Sequence, residues 1–413
     1  MPLIRPFAAL RPAPERAAAV AAPPYDVLST EEARERAAGR PWSFLHISKP
    51  EIDLPSGIDP YSPAVYAKAS ENFERMLLAG ILRRDPDPGY YAYRLVLGDH
   101  AQTGLVVAAS VAAYDRNRIR RHEFTRPDKE DDRVRQIEAL DAQTGPVLLA
   151  HPTAPHVDEI LLQATAGTPD ADIEGDGNVR HTLWSIRDPG RVTQLSAAFA
   201  GMPALYIADG HHRSAAASRV AASRRARNPK HTGEESHEYF LAVAFPHHQL
   251  KILPYHRVVA DLNGSTAEHF LERLRTGFNV EPSAAPVAPD SPGQFGMYLE
   301  GRWYRLFIHA GLIPIADPVA RLDVSLLADH LLGPILNIHD PRRDKRVDFV
   351  GGIRGLTELS RRVDCGEMAA AFSMHPTHME DLMAVSDRGE VMPPKSTWFE
   401  PKLADGLVSH VLD

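Results

Sequence analysis

Apolar residues recur at helical spacing across residues 61–82, where Val65, Ala69, Phe73, Met76 and Leu77 share one face, and this spacing predicts a helix. The runs 90–97 and 105–114 are rich in β-branched and aromatic residues and predict paired strands. Further apolar runs at 146–150, 204–208 and 239–246 predict strands, and the segment 252–259 follows the last of them. Residues 152–200 carry a looser helix–strand–helix pattern. The final third predicts a helix at 268–276, a strand pair within 296–309, a helix at 323–332, a strand at 347–351 and another helix. It closes with a strand at 368–374, a helix at 377–385 and a stiff polar loop at 392–402.

Local punctuation sharpens this outline. Pro23-Pro24-Tyr25-Asp26 must be extended or turned, because each proline disfavours helix before it. Ser29-Thr30-Glu31-Glu32 has the spacing of a capping box and predicts a helix start. Elements of both kinds in this order imply an α+β chain, divided along its length into an N-terminal region 1–114, a functional core 115–262 and a C-terminal region 263–413. No internal repeat is present.

At 413 residues the chain is long enough for two or three domains with their own cores. Apolar residues at 44% and charged residues at 24% exclude a disordered chain. A formal net charge of −8 argues against broad contact with a nucleic-acid backbone. The basic run Arg224, Arg225 and Arg227 reads as a solvated helix end. The lone Cys365 forbids an intrachain disulfide and fits a reducing compartment. With no charged-then-apolar leader and no apolar run of membrane-spanning length, the expectation is a cytoplasmic protein without membrane contact. The sequence is silent on oligomeric state, so a homo-oligomer remains open.

The chemistry concentrates where the apolar run 204–208 meets Asp209-Gly210-His211-His212-Arg213 and an alanine-rich helix. Glycine lets the backbone approach a ligand, and the N–H groups of a new helix favour an anion. Two imidazoles and a guanidinium add donors for phosphate oxygens, while Asp209 supplies an oxygen of the kind magnesium prefers. The alternative is a metal or salt-bridge knot that only fixes a turn. The i, i+4 histidine pair of helical zinc sites is absent from this loop.

Two further constellations carry charge. His122-Glu123, followed by Arg126, Lys129 and Arg133, precedes a helix, and a carboxylate there can accept a proton from a hydroxyl. The same residues also read as a solvated, alternating helix start. Pro393-Pro394-Lys395-Ser396-Thr397-Trp398-Phe399 combines a proline-stiffened backbone with a lysine and two hydroxyls suited to an anion, or it buries its aromatics and leaves Lys395 in solvent.

The order His122-Glu123, helix, strand at 146–149, then 206–213 resembles the free-serine kinases of the ParB/sulfiredoxin-like superfamily. Along nearly its whole length the chain also resembles the bacterial family known as domain of unknown function 1015, through Pro23-Pro24-Tyr25-Asp26, His122-Glu123 with Thr125, the 208–213 loop and the 393–398 loop. The resemblance implies a ParB/sulfiredoxin-like core with an insertion at about residues 152–200, flanked by N- and C-terminal α+β regions. It implies a kinase that phosphorylates free L-serine or a related hydroxy compound from ATP or ADP with Mg2+. Glu123 would be the base and Asp209 a magnesium ligand or assisting carboxylate. Gly210, His211, His212 and Arg213 would form the phosphate grip, with His212 also close to the reaction. The amino-acid carboxylate needs a cation of its own, for which Arg126 or Lys395 is available, and His122, Ser396 and Thr397 complete the candidate substrate contacts. Two other readings stay open: a ParB-like nucleotide-binding regulator without transfer, and a metal-dependent phosphohydrolase in which water replaces the alcohol.

Overall fold

The computed structural model describes residues 2–413, which form two compact units, one running up to residue 250 and completed by 401–413, the other of residues 251–400. Unit 1 is built on a nine-stranded mixed sheet. Its strands are β1 (Ile4–Arg5), β2 (Tyr90–Leu97), β3 (His100–Ser110), β4 (Ile119–Arg120), β5 (Val147–His151), β6 (Ala171–Glu174), β7 (Arg180–Ile186), β8 (Leu205–Asp209) and β9 (Tyr239–Pro246). They run in the order β4-β8-β5-β9-β3-β2-β7-β6, with β1 added to β3.

The burial explains the sequence pattern. All eight residues of β9 are buried, because it lies between β5, to which it is parallel, and β3, to which it is antiparallel, with both faces covered. Gly104 in β3 is required by this packing: a Cβ there would stand 2.8 Å from the Phe245 ring. Three helices pack in series, α1 (Pro63–Leu78) against α2 (Pro127–Leu140) and α2 against α3 (His211–Arg227). The capping box is made, since Ser29 Oγ accepts from the Glu32 N–H and Glu32 Oε2 from the Ser29 N–H. Ile137 of α2 packs with Ala216 and Val220 of α3 and with Leu412, so two charged helices share an apolar seam.

The chain's spatial division differs from its linear one. Strands β2 and β3 of the expected first region pair with β7 and β9 of the second, so one hydrogen-bonded sheet crosses residue 114. The 152–200 segment contributes β6 and β7 to that sheet as an edge hairpin. The C-terminal segment returns to unit 1, where His410–Val411 pairs with Ala142–Gln143 and Asp405 bridges Ala22.

Unit 2 holds a six-stranded antiparallel sheet of β10 (Tyr255–Val259), β11 (Phe278–Ser283), β12 (Gln294–Leu299), β13 (Arg302–Ile308), β14 (Val347–Gly351) and β15 (Ala370–Met374), ordered β11-β13-β12-β15-β10-β14. Val258, Val287, Tyr298, Trp303, Val350 and Leu359 form its core. The molecule is thus a mixed fold of helices and sheets. Among the described residues no helix is long and apolar enough to cross a membrane.

Candidate functional site

The site grows from the end of β8. Ile207 faces Leu149 and Asp209 faces Leu148, so Ala208 is an extra residue and the strand bulges as it delivers Asp209. Gly210 follows with φ +100° and ψ 29°, and it caps α3 without any side-chain hydrogen bond. A side chain at Gly210 would be strained, and its Cβ would lie 3.0 Å from Arg213 Nε. The bulge and the glycine together turn the chain from β8 into α3 directly after Asp209.

Asp209 is held by cations. Lys402 Nζ donates to its Oδ2 at 3.2 Å, and Arg213 NH2 lies 3.7 Å from the same oxygen. Burial alone would raise this carboxyl, but Lys402, Arg213 and that hydrogen bond outweigh it and hold Asp209 well below the usual carboxylate range. Arg213 is itself nearly buried and donates through NH1 to the Pro146 carbonyl, which ties the helix start to β5.

The two histidines that follow Gly210 fasten the 122–126 segment. His211 Nε2 accepts from the His122 main-chain N–H at 3.4 Å, and His212 Nε2 accepts from the Arg126 main-chain N–H at 3.1 Å. Each imidazole therefore carries its proton on Nδ1. Burial first, then neighbouring His122, depresses the proton affinity of His211, and burial likewise lowers that of His212, so both rings are neutral. Glu123 lies between the two fastened points, half-exposed, with Oε2 3.9 Å from His211 Nδ1. The His122 ring donates to the Ile207 carbonyl and stands edge-on to His211, with centroids 4.5 Å apart. Its Nδ1 is buried without a hydrogen-bond partner, and burial pushes its pKa down to about 4. One donor atom each from His122, Glu123 and His211 lies within 4.8 Å of the others. The hydrogen bond at Nε2 puts the His211 proton on Nδ1, the atom that faces Glu123, so these three do not form a ready metal site.

Behind Arg213 lies a recess lined in part by Tyr25, Arg133, Gln143, Thr144, Gly145 and Asp405. Arg133 stacks 3.8 Å over the Tyr25 ring and pairs with Asp132 at 2.7 Å. The Tyr25 main-chain N–H donates to the Asp405 carboxylate, whose Oδ1 is buried without a partner. Burial, with Asp26 adding like charge, pushes Asp405 up to about 7 against the opposing pull of Arg213 and Arg133. A carboxyl raised in the folded state keeps a proton between about pH 4 and 7 that the unfolded chain has lost. Its contribution to stability is therefore present at the acid end and falls as pH rises through that window. Asp405→Asn is expected to remove a pH dependence on the order of 3 kcal/mol, measured by denaturant unfolding at about pH 4.5 and 7.5. An unchanged difference between the two pH values would assign that dependence to other groups.

Unit 1 thus brings together Glu123, His122, Asp209, Gly210, His211, His212 and Arg213. Arg126 contributes its main chain, while its guanidinium pairs with Asp128 at 2.8 Å in solvent. Lys395, Ser396 and Thr397 belong to unit 2. There Lys395 is exposed at φ 59° with Nζ 5.5 Å from the Tyr255 ring, and Ser396 Oγ donates to the Pro393 carbonyl at 2.6 Å. The 392–402 stretch is therefore not one loop: Trp398–Glu400 pairs with Lys251–Leu253 in unit 2, and Lys402 lies in unit 1. Lys402 and Asp405 are site residues that the motifs alone do not mark, and Arg133 is marked only as a cation downstream of His122-Glu123. Tyr25 is marked in the sequence only as part of a proline-bounded turn.

A family profile described as "Protein of unknown function (DUF1015)" matches residues 4–325. The chain belongs to this DUF1015 family. No curated protein matches it. Solved structures similar to this DUF1015 chain include a free serine kinase in complex with AMP, at 15% identity and TM-score 0.35, covering 71% of this chain and 86% of that one. A conserved hypothetical protein from Pyrococcus furiosus is similar at 15% identity and TM-score 0.34, over 73% and 93% of the two chains. C-terminally truncated SbnI from Staphylococcus aureus is similar at 12% identity and TM-score 0.37, over 73% and 85%. At TM-scores below 0.5 these likenesses do not define the fold of the DUF1015 chain.

Proposed function

We propose that this chain is a small-molecule kinase that transfers a phosphoryl group from ATP or ADP to the hydroxyl of free L-serine, or of a related hydroxy compound. The observation that carries this reading is one arrangement. A carboxylate, Glu123, lies in a segment fastened by His211 and His212 beside a helix start that has no side-chain cap and is flanked by Lys402 and Arg213. Phosphoryl transfer asks a protein mainly for positioning and charge neutralisation, and these groups supply both. Glu123 accepts the hydroxyl proton as the oxygen forms its bond to phosphorus, and the nucleotide leaves with the electron pair of the broken P–O bond. The N–H groups at the start of α3, the Nδ1–H groups of two neutral imidazoles and the Lys402 ammonium face the accumulating negative charge.

Both cations beside the Asp209 carboxylate meet it at Oδ2. Oδ1 can join phosphate oxygens and water around Mg2+, the kind of ligand set that ion takes. When bound, the ion would neutralise phosphate charge. The amino-acid carboxylate requires a further cation, and Arg126 can serve if substrate displaces Asp128 from its guanidinium.

The reading is tested by following consumption of ATP and ADP with magnesium, with and without L-serine and other hydroxylated amino acids. Serine-dependent consumption is expected. Phosphate release indifferent to serine would make the chain a hydrolase, and nucleotide binding without turnover would make it a nucleotide-binding regulator.

A further inference from the structure

A second cluster lies at the other end of α3, in the segment that joins this helix to β9. His231 Nε2 is 3.6 Å from Glu238 Oε1, and His237 Nε2 is 3.9 Å from the same oxygen. One donor atom from each of the three residues lies within 4.8 Å of the others. These separations are too long for hydrogen bonds. They are slightly wider than the roughly 3.4 Å between ligand atoms of a tetrahedral ion bound at about 2.0–2.1 Å. We propose that His231, His237 and Glu238 bind a divalent transition metal of the zinc type.

The surroundings prepare each ligand. The His237 side chain is 7% exposed, and its Nε2 is buried with no hydrogen-bond partner, an orphan that a metal would satisfy. His231 Nδ1 lies 3.0 Å from Glu235 Oε2, too poorly aligned to hydrogen-bond, and its Nε2 faces Glu238. Glu235 is itself fixed by the main-chain N–H groups of Thr232 and Gly233, at 2.7 and 2.8 Å. Glu238 is 4% exposed and receives two hydrogen bonds from Arg225 at 3.1 and 2.6 Å, which orient its carboxylate. Two imidazoles with one carboxylate favour zinc over magnesium or calcium, and water would complete four-coordination. Bound there, the ion would close the 231–238 segment on itself just before β9, at the end of α3 away from Glu123.

The test uses the full chain, stripped with a chelator and titrated with Zn2+ by calorimetry. One equivalent is expected to bind and to raise the unfolding temperature, because an ion that binds only the folded state stabilises it. His237→Ala and His231→Ala are expected to weaken binding at least ~100-fold, in line with the loss of one of three protein ligands. His122→Ala, which alters the other histidine cluster, is expected to retain the equivalent. X-ray absorption on zinc-loaded His122→Ala should show two imidazoles and one carboxylate, a readout that stands even if the His237 variant does not fold. No stoichiometric binding by the parent, full binding by folded His237→Ala, or loss of the equivalent in His122→Ala would each overturn the assignment.

Discussion

Glu123→Gln is expected to lower serine phosphorylation by ~10²–10⁴-fold, the range over which a positioned general base contributes, while nucleotide affinity stays unchanged. The amide keeps the size of the side chain and leaves both anchors of the segment intact, since His211 and His212 accept from the main chain of His122 and Arg126 and not from Glu123. What is lost is the capacity to take the hydroxyl proton. Steady-state turnover with L-serine, beside calorimetric titration of the nucleotide, separates the two quantities. Full turnover in this variant would move the base elsewhere, with Asp26 and Asp209 the next carboxylates to examine.

The second large effect is expected at Arg213, and it is an effect on folding as much as on ligand binding. The motif alone makes this residue a phosphate clamp, whose loss would cost about 1.5–3 kcal/mol of binding. The structure gives the same guanidinium further work: it is nearly buried, bonds the Pro146 carbonyl and neutralises Asp209. Arg213→Ala would leave Asp209 to Lys402 and would take a donor from the Pro146 carbonyl. Asp209 keeps 31% of its side chain exposed and retains Lys402, so the loss of this partner costs less than in a fully buried pair, about 1.5–3 kcal/mol. Equilibrium unfolding in urea should show a loss of that order. A variant as stable as the parent, with weaker nucleotide binding, would return Arg213 to a purely ligand-directed role.

The local elements are legible in the sequence because their signals are local. The capping box at Ser29–Glu32 and the buried run of β9 need only neighbouring residues to specify them. So does the turn at Gly210, where a short apolar run ends in glycine before a helix. Glu123 and the histidines are visible as chemistry, but the way they meet is not. His211 and His212 reach the main chain of the 122–126 segment 86 to 89 positions earlier, and that contact follows from the parallel pairing of β4 with β8. Lys402 and Asp405 are hidden for a similar reason. They reach the site because the last dozen residues pair with Ala142–Gln143 and bridge Ala22, long-range pairings that no spacing rule announces. The division of the chain is obscured by the same kind of pairing, since strands on either side of residue 114 close one sheet.

The most direct measurement is phosphorus NMR of the pure protein incubated with magnesium, L-serine and either ATP or ADP. The proposed kinase activity predicts a new phosphomonoester resonance that coincides with added O-phosphoserine, grows in step with loss of the nucleotide's terminal phosphate and is suppressed in Glu123→Gln. Inorganic phosphate as the sole product, or a spectrum unchanged while the nucleotide is demonstrably bound, would contradict it.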